Sequence, residues 1–208
     1  LLFGEILADA GADVSCLRTM DTESGCAFIE VNSKGQNRII VSAGTNRMYT
    51  EEYIQSVLEK AEAGDFVLLQ NEINMVGEII RLSHEKGCRE LPLELVDIFM
   101  VNELEAAALA GTSAEGDFRD ILKALQKKYP KAAIVMTLGK DGVLYGYKEE
   151  FYSHPIFKVN AVDTTAAGDT FCGYFLAALC AGKSVEMALR EASAASAMAV
   201  SAKGAAPS

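Results

Sequence analysis

The sequence predicts an α/β protein: a three-layer α/β/α arrangement around a mostly parallel sheet, with a small β-hairpin set apart from it. Three observations carry this. Short continuous apolar runs recur at Asp65–Gln70, Val96–Val101 and Ala132–Thr137, the mark of strands buried on both faces. Between them lie segments with apolar residues at three- and four-residue spacing, which read as amphipathic helices. Strands alternating with helices of this length build a parallel sheet covered on both sides.

The elements follow in order. Leu2, Phe3 and Ile6 have helical spacing, so Leu1–Leu7 opens inside a helix without a cap. Gly25–Val31 and Asn37–Ala43 read as two strands joined by the polar turn Ser33-Lys34-Gly35-Gln36, a hairpin signal. Thr50 caps a helix with Glu51 and Glu52 in its first turn and Tyr53, Ile54, Val57, Leu58 and Ala61 on its apolar face. After the run Asp65–Gln70, Met75–Lys86 is helical and ends at Gly87. Val96–Val101 leads into a helix from Asn102 to about Ala110, and a second helix carries Phe118, Ile121, Leu122 and Leu125 on one face. The strand Ala132–Thr137 precedes a hairpin around Val143–Tyr147 and Phe151–Ser153. Two apolar helices close the chain, one through Tyr174–Ala181 and one from Ser184 to about Val200.

Composition bounds the function. At 208 residues the chain fits one domain and can bury roughly 70% of its unfolded surface. Net charge is −10, and no Lys/Arg run exceeds the pair Lys127-Lys128, which argues against nucleic acid and anionic membrane as partners. Five cysteines (16, 26, 88, 172 and 180) never form C-x-x-C, and only His84 and His154 could join them, so a zinc site is not expected. Free thiols fit a reducing cytosol, and a cytoplasmic location is expected. The apolar stretches are too short to span a bilayer, and no signal-peptide pattern opens the chain.

The chemistry concentrates in Val162-Asp-Thr-Thr-Ala-Ala-Gly-Asp-Thr-Phe171. Two aspartates flank small residues, and the second sits where a helix must begin. The backbone N–H groups of Ala166, Ala167, Gly168 and Asp169 can turn toward one point before that helix, where unpaired donors and the helix macrodipole attract an anion. Asp169 can there take a proton from a hydroxyl while the amides hold a phosphoryl group. An isolated aspartate at a helix start would read only as an acid complementing the helix dipole; the surrounding run favours the chemical reading.

Other candidates have plain structural readings beside the functional one. Asn102 and Glu105, three apart, share a helix face and equally fit a capping box. Thr137-Leu-Gly-Lys-Asp-Gly142 fits either a loop approached closely by a ligand or an ordinary turn after a strand. Glu72 ends an apolar run and is otherwise a solvated loop acid. No G-x-x-x-x-G-K-[ST] is present and no G-x-G-x-x-G follows a strand, which excludes a P-loop ATPase and argues against a dinucleotide-binding dehydrogenase.

The run from Asp163 to Phe171 resembles the D-T-[TI]-[GA]-A-G-D-x-F signature of the ribokinase family, the PfkB-type carbohydrate kinases. The resemblance continues through Gly173, Gly182-Lys183 and the ending Lys203-Gly-Ala-Ala-Pro-Ser208, which is most similar to ribokinases within the family. Val101-Asn-Glu-Leu-Glu-Ala106 resembles the family's N-x-x-E element, and Thr137–Gly142 its nucleotide loop.

The resemblance implies a ribokinase-like fold with a Rossmann-like sheet over residues 1–208, incomplete at the N-terminus, with residues of about 25–43 in a β-lid that also mediates a homodimer. It implies ATP-dependent phosphorylation of a sugar hydroxyl, D-ribose to D-ribose 5-phosphate, with another PfkB-type kinase for fructose or a nucleoside, or a catalytically silent binding homologue, as alternatives. It implies that Asp169 is the base and that Ala166, Ala167 and Gly168 form the anion hole. Asn102, Thr137, Leu138, Gly139, Lys140, Asp141, Gly142, Gly168 and Ser193 would bind the nucleotide, and Glu72 and Asp169 the sugar. Glu105 would organise Mg2+ through water. Asp163, Thr165, Ala199, Ala202, Gly204 and Ser208 would surround a monovalent cation, K+. Gly44 and Asn46 are similar to the family's G-A-N after the lid, and a plain turn explains them as well. Measured against the family, segments are expected to be missing before Leu1, near Leu7-Ala8, and at the Gly87–Cys88 junction, where no strand receives the helix.

Overall fold

The computed structural model describes residues 2–31, 37–87, 96–202 and 204. The chain falls into two compact units, Leu1–Pro92 and Leu93–Ser208. The predicted turn at 33–36, the Gly87–Cys88 junction and Ser208 lie outside the described residues.

In the first unit, α1 (Leu2–Asp9) runs unbroken through Leu7 and Ala8, with the Ala12 amide donating to the Leu7 carbonyl at 3.0 Å. The strands β1 (Cys26–Val31) and β2 (Asn37–Ser42) pair antiparallel from Cys26 opposite Ser42 to Val31 opposite Asn37. Phe28, Ile29, Ile39, Ile40 and Val41 of this hairpin are all exposed. A 3-10 turn, Gly44–Arg47, precedes α2 (Glu51–Leu58). Thr50 caps α2 as its sequence demands, its hydroxyl accepting the Tyr53 N–H at 3.3 Å. Ile54 and Leu58 then bury against Ile79 of α3 (Val76–Glu85).

The run at 65–70 departs from its prediction. Only Phe66 makes a bridge, and no strand forms there. Val67 and Leu69 pack on the cluster of Ile54, Leu58 and Ile79, while Leu68 is 58% exposed. A continuous apolar run becomes a buried strand only where a layer covers each face; within this unit α2 and α3 cover one.

The second unit holds a four-stranded sheet in the order β3 (Ile98–Asn102), β4 (Ala133–Thr137), β5 (Val143–Tyr147), β6 (Glu150–His154). Its remaining elements are α4 (Glu103–Ala110), α5 (Phe118–Lys128), α6 (Ala167–Cys180) and α7 (Val185–Val200). The sheet described is mixed: β3 and β4 are parallel, and β4–β5 and β5–β6 are antiparallel. Connection length decides this. The crossover through α4 and α5 is long enough to return a parallel strand, whereas the short segment from Leu138 to Gly142 can only reverse the chain.

Alternation along β4 separates the two faces. Val135, with Val143 and Tyr145 of β5, joins Phe171, Phe175 and Ala178 of α6 and Ala188, Leu189 and Ala192 of α7 in one core. Ile134 and Met136 are fully buried on the other side, where α5 packs on β4 and β5 through its buried face Ile121, Leu122 and Leu125. The three layers are therefore α4/α5, sheet and α6/α7. Among the described residues no helix is long and apolar enough to cross a membrane.

Candidate active site

The site assembles at the carboxyl ends of the parallel strands, where open α/β sheets leave a crevice. Asn102 ends β3 and stands opposite Thr137, the last residue of β4. Asn102 also caps α4: its Oδ1 accepts the N–H groups of Leu104 at 3.0 Å and Glu105 at 2.9 Å, and Glu105 Oε2 accepts the Asn102 N–H at 2.9 Å. The capping box is thus formed in full. It fixes both side chains of the N-x-x-E element at the mouth of the crevice.

The signature run forms a loop braced by α7. Asp163 Oδ1 accepts from the N–H of Thr165 at 2.9 Å and from its hydroxyl at 2.7 Å. Asp163 Oδ2 accepts the Gly204 N–H at 3.1 Å. The N–H groups of Val162 and Asp163 both donate to the Val200 carbonyl, at 2.7 and 3.2 Å. Ala166 then turns left-handed, φ 59°, a conformation costing an L-residue roughly 1–2 kcal/mol, and α6 begins at Ala167. The Ala167 N–H closes a turn on the Thr164 carbonyl at 3.3 Å, so it points back into the loop rather than forward with its neighbours as the sequence predicts. Gly168 and Asp169 belong to the first turn of α6, at the positive end of its dipole. The Thr170 N–H donates to the Ala166 carbonyl at 2.9 Å.

Asp169 is exposed in that first turn. One turn along lies Cys172, whose thiol is pushed up by burial first and then by the negative charge of Asp169, with a smaller contribution from Glu105. The start of α4, through Glu105, and the start of α6, through Asp169, thus both bear on this thiol, and their negative charge disfavours the thiolate. Among the described residues no three His, Cys, Asp or Glu side chains cluster as metal ligands. Of the other residues expected around a cation, Ala199 and Ala202 form the turn ending α7, where the Ala202 N–H donates to the Ala199 carbonyl at 3.1 Å.

Beside the loop opens a cavity of about 380 Å3, within the size range of small-molecule sites. Thr137, Gly139, Lys140, Gly142, Gly168 and Ser193, all predicted to meet a nucleotide, line it. Leu138 is buried in the protein and Asp141 is exposed, and neither lines the cavity. Glu72 lies in the first unit, exposed in the turn before α3. Gly142 is required by its conformation, φ 99° and ψ −137°, and by crowding: a Cβ there would stand 2.3 Å from the His154 carbonyl oxygen.

Sequence reasoning missed the greasy part of this lining. Ile156, Phe157, Val159 and Ala161 come from the segment joining β6 to the signature loop, and Ser196, Ala197 and Val200 from α7. The available signal was the alternation of Phe157, Val159 and Ala161 with Lys158 and Asn160, a strand-like pattern on a segment that forms no strand. Phe157 is held by its ring contact with His154, centroids 5.3 Å apart.

This fold and signature loop define a sugar-kinase architecture, and the chain belongs to the pfkB family of carbohydrate kinases, whose profile matches residues 79–208. It is 37% identical over 198 residues to the ribokinase of Bacillus subtilis, covering 88% of this chain and 64% of that one. Its structure matches ribokinase from Thermotoga maritima with a TM-score of 0.78 at 32% identity, over 98% of this chain and 71% of that one. It matches Arabidopsis thaliana ribokinase, solved with ribose and ATP, with a TM-score of 0.76 at 28% identity, over 97% and 73%. The chain spans 59–70% of the length of the curated bacterial ribokinases it matches.

Proposed function

We propose that this protein transfers the γ-phosphoryl group of ATP to a hydroxyl of a small sugar, D-ribose, giving ribose 5-phosphate. The observation that carries the reading is the placement of Asp169 in the first turn of α6, directly after Gly168, which lines the cavity. A nucleotide seated with its base among Phe157, Val159 and Ala197 would send its phosphates toward that helix start. The ribokinases among the relatives and the Arabidopsis structure with ribose and ATP support this choice of substrates.

The division of labour follows from the geometry. Phosphoryl transfer depends on positioning and on stabilising spread-out charge. The first-turn amides of Gly168 and Asp169 face developing negative charge at the positive end of α6. The Asp169 carboxylate accepts the proton of the sugar hydroxyl as the oxygen attacks phosphorus. Mg2+ fits the residues present: Glu105, held at the crevice mouth by its bond to the Asn102 amide, is a hard oxygen donor suited to contact through water. Bound with ATP, the ion neutralises phosphate charge.

A monovalent cation, K+, fits beside Asp163, where the carboxylate already gathers Thr165 and Gly204; Ala199, Ala202 and Ser208 complete the proposed oxygen set. The exposed apolar hairpin β1–β2 is proposed as the surface for a second copy, and Glu72 as a sugar contact. A cytoplasmic location accords with the free thiols. The test is Asp169→Asn in the purified protein. ADP release that depends on ribose should fall by roughly 10²–10⁴ in kcat, with ATP affinity within a few-fold; turnover near the parent value would overturn the assignment.

A further inference from the structure

Ser196 lies inside α7, where a serine hydroxyl usually points to solvent or bonds back to the carbonyl four residues earlier in its own helix. Here it does neither. Its Oγ donates to the Ala167 carbonyl at 3.0 Å, 29 residues away, at the first residue of α6. Ser196 also lines the cavity, next to Ala167 and Gly168. The bond therefore joins the cavity wall to the start of α6, directly after the left-handed Ala166.

The choice of carbonyl matters because of peptide planarity. The Ala167 C=O and the Gly168 N–H belong to one peptide unit, trans and planar, and point in opposite directions. Each donor on the oxygen therefore adds to the hold on the direction of the Gly168 N–H. A hydrogen bond to that oxygen also polarises the unit and makes its N–H a stronger donor. The Val200 carbonyl and the Gly204 N–H brace residues 162 and 163, on the far side of Ala166. The Ala167 oxygen is held by the Phe171 N–H of its own helix, and Ser196 adds a second donor from outside that helix, one that a single side-chain substitution removes.

We propose that Ser196 is a positioning residue for phosphoryl transfer: its hydroxyl, by holding the Ala167 carbonyl, aims and strengthens the Gly168 N–H toward the transferring group. The inference rests on the kinase reading for its substrate, and concerns a side chain on the opposite helix from the base.

The test compares Ser196→Ala with Ser196→Thr, which keeps the hydroxyl, in the purified protein. Three quantities are read: the Gly168 amide resonance with glycine-selective 15N labelling, sugar-dependent kcat and KM for ATP, and affinity for ADP with and without aluminium fluoride. Ser196→Ala should move the Gly168 amide resonance and lower kcat about three- to tenfold, the scale of one hydrogen bond, with KM for ATP within about twofold. It should weaken the ADP–aluminium fluoride complex by a similar factor while leaving ADP alone unchanged, and Ser196→Thr should restore each. An unmoved Gly168 resonance would overturn the proposal, as would equal losses for ADP with and without fluoride. Should the parent protein release no ADP with ribose, yet show the Ser196-dependent loss with fluoride, the kinase reading would fail and the positioning role would stand.

Discussion

Gly142→Ala is the sharpest perturbation available to this architecture. Gly142 sits at φ 99°, ψ −137° where β4 reverses into β5, a region occupied almost solely by glycine, and holding an alanine there costs of order 1–3 kcal/mol. Its Cβ would also meet the His154 carbonyl oxygen at 2.3 Å and Pro155 Cα at 3.0 Å. Both are main-chain atoms of the neighbouring strand end, with no flexible side chain to swing aside, and relieving such overpacking costs about 1–3 kcal/mol more. Taking the middle of each range gives about 4 kcal/mol. At about 2–4 °C per kcal/mol for a chain of this size, the melting temperature should fall by about 8–16 °C.

Gly139→Ala is the matched control. Gly139 lies three residues earlier in the same turn at φ 52° with nothing within 4 Å of an added Cβ. The left-handed cost of roughly 1–2 kcal/mol is partly offset by about 0.4–1 kcal/mol from a stiffer unfolded chain, so its melting temperature should drop by no more than about 6 °C. Thermal unfolding followed by circular dichroism measures both. Equal drops for the two variants would refute the claim that contact with His154 and Pro155, rather than left-handed backbone alone, dictates glycine at 142. Because Pro155 leads directly into Ile156 and Phe157 of the cavity wall, Gly142→Ala should also weaken nucleotide binding more than Gly139→Ala does.

Asn102→Ala removes the acceptor for two amides of α4 and should cost about 1 kcal/mol, read as a lower urea midpoint, whereas Asn102→Asp keeps the cap and should hold the parent midpoint. Asp163→Ala frees Thr165 and Gly204; K+ should activate the parent more than Na+ at fixed Mg·ATP, and the variant should lose that difference, while an unchanged preference would separate Asp163 from the cation. Burial and then Asp169 raise the Cys172 thiol, so at any fixed alkaline pH less of it is thiolate, and iodoacetamide should modify the exposed Cys26 and Cys180 first. Its alkylation rate should keep climbing as pH rises past the ordinary thiol range; a rate for Cys172 equal to theirs at pH 8, by peptide mass spectrometry, would contradict the burial argument.

Local chemistry was legible in the sequence wherever neighbours along the chain supply it. Thr50 before two glutamates, the Asn102–Glu105 spacing and Ser184 before α7 specify helix starts through bonds closed within one turn, and each cap forms. The run from Asp163 to Phe171 likewise carries its own loop chemistry. Tertiary structure alone decided what depends on partners distant in sequence. The run at 65–70 looks like a buried strand, yet hydropathy cannot say how many layers will cover it, and Leu68 ends exposed. Phe157, Val159 and Ala161 alternate with Lys158 and Asn160 as in a strand, yet the segment forms no strand and turns that face to a cavity, an outcome that periodicity alone does not distinguish. Ser196 reads as an ordinary small residue in a helix. Its bond to Ala167 exists only because α6 and α7 pack side by side, bringing a hydroxyl within 3.0 Å of a carbonyl 29 positions away, a distance that no local propensity encodes.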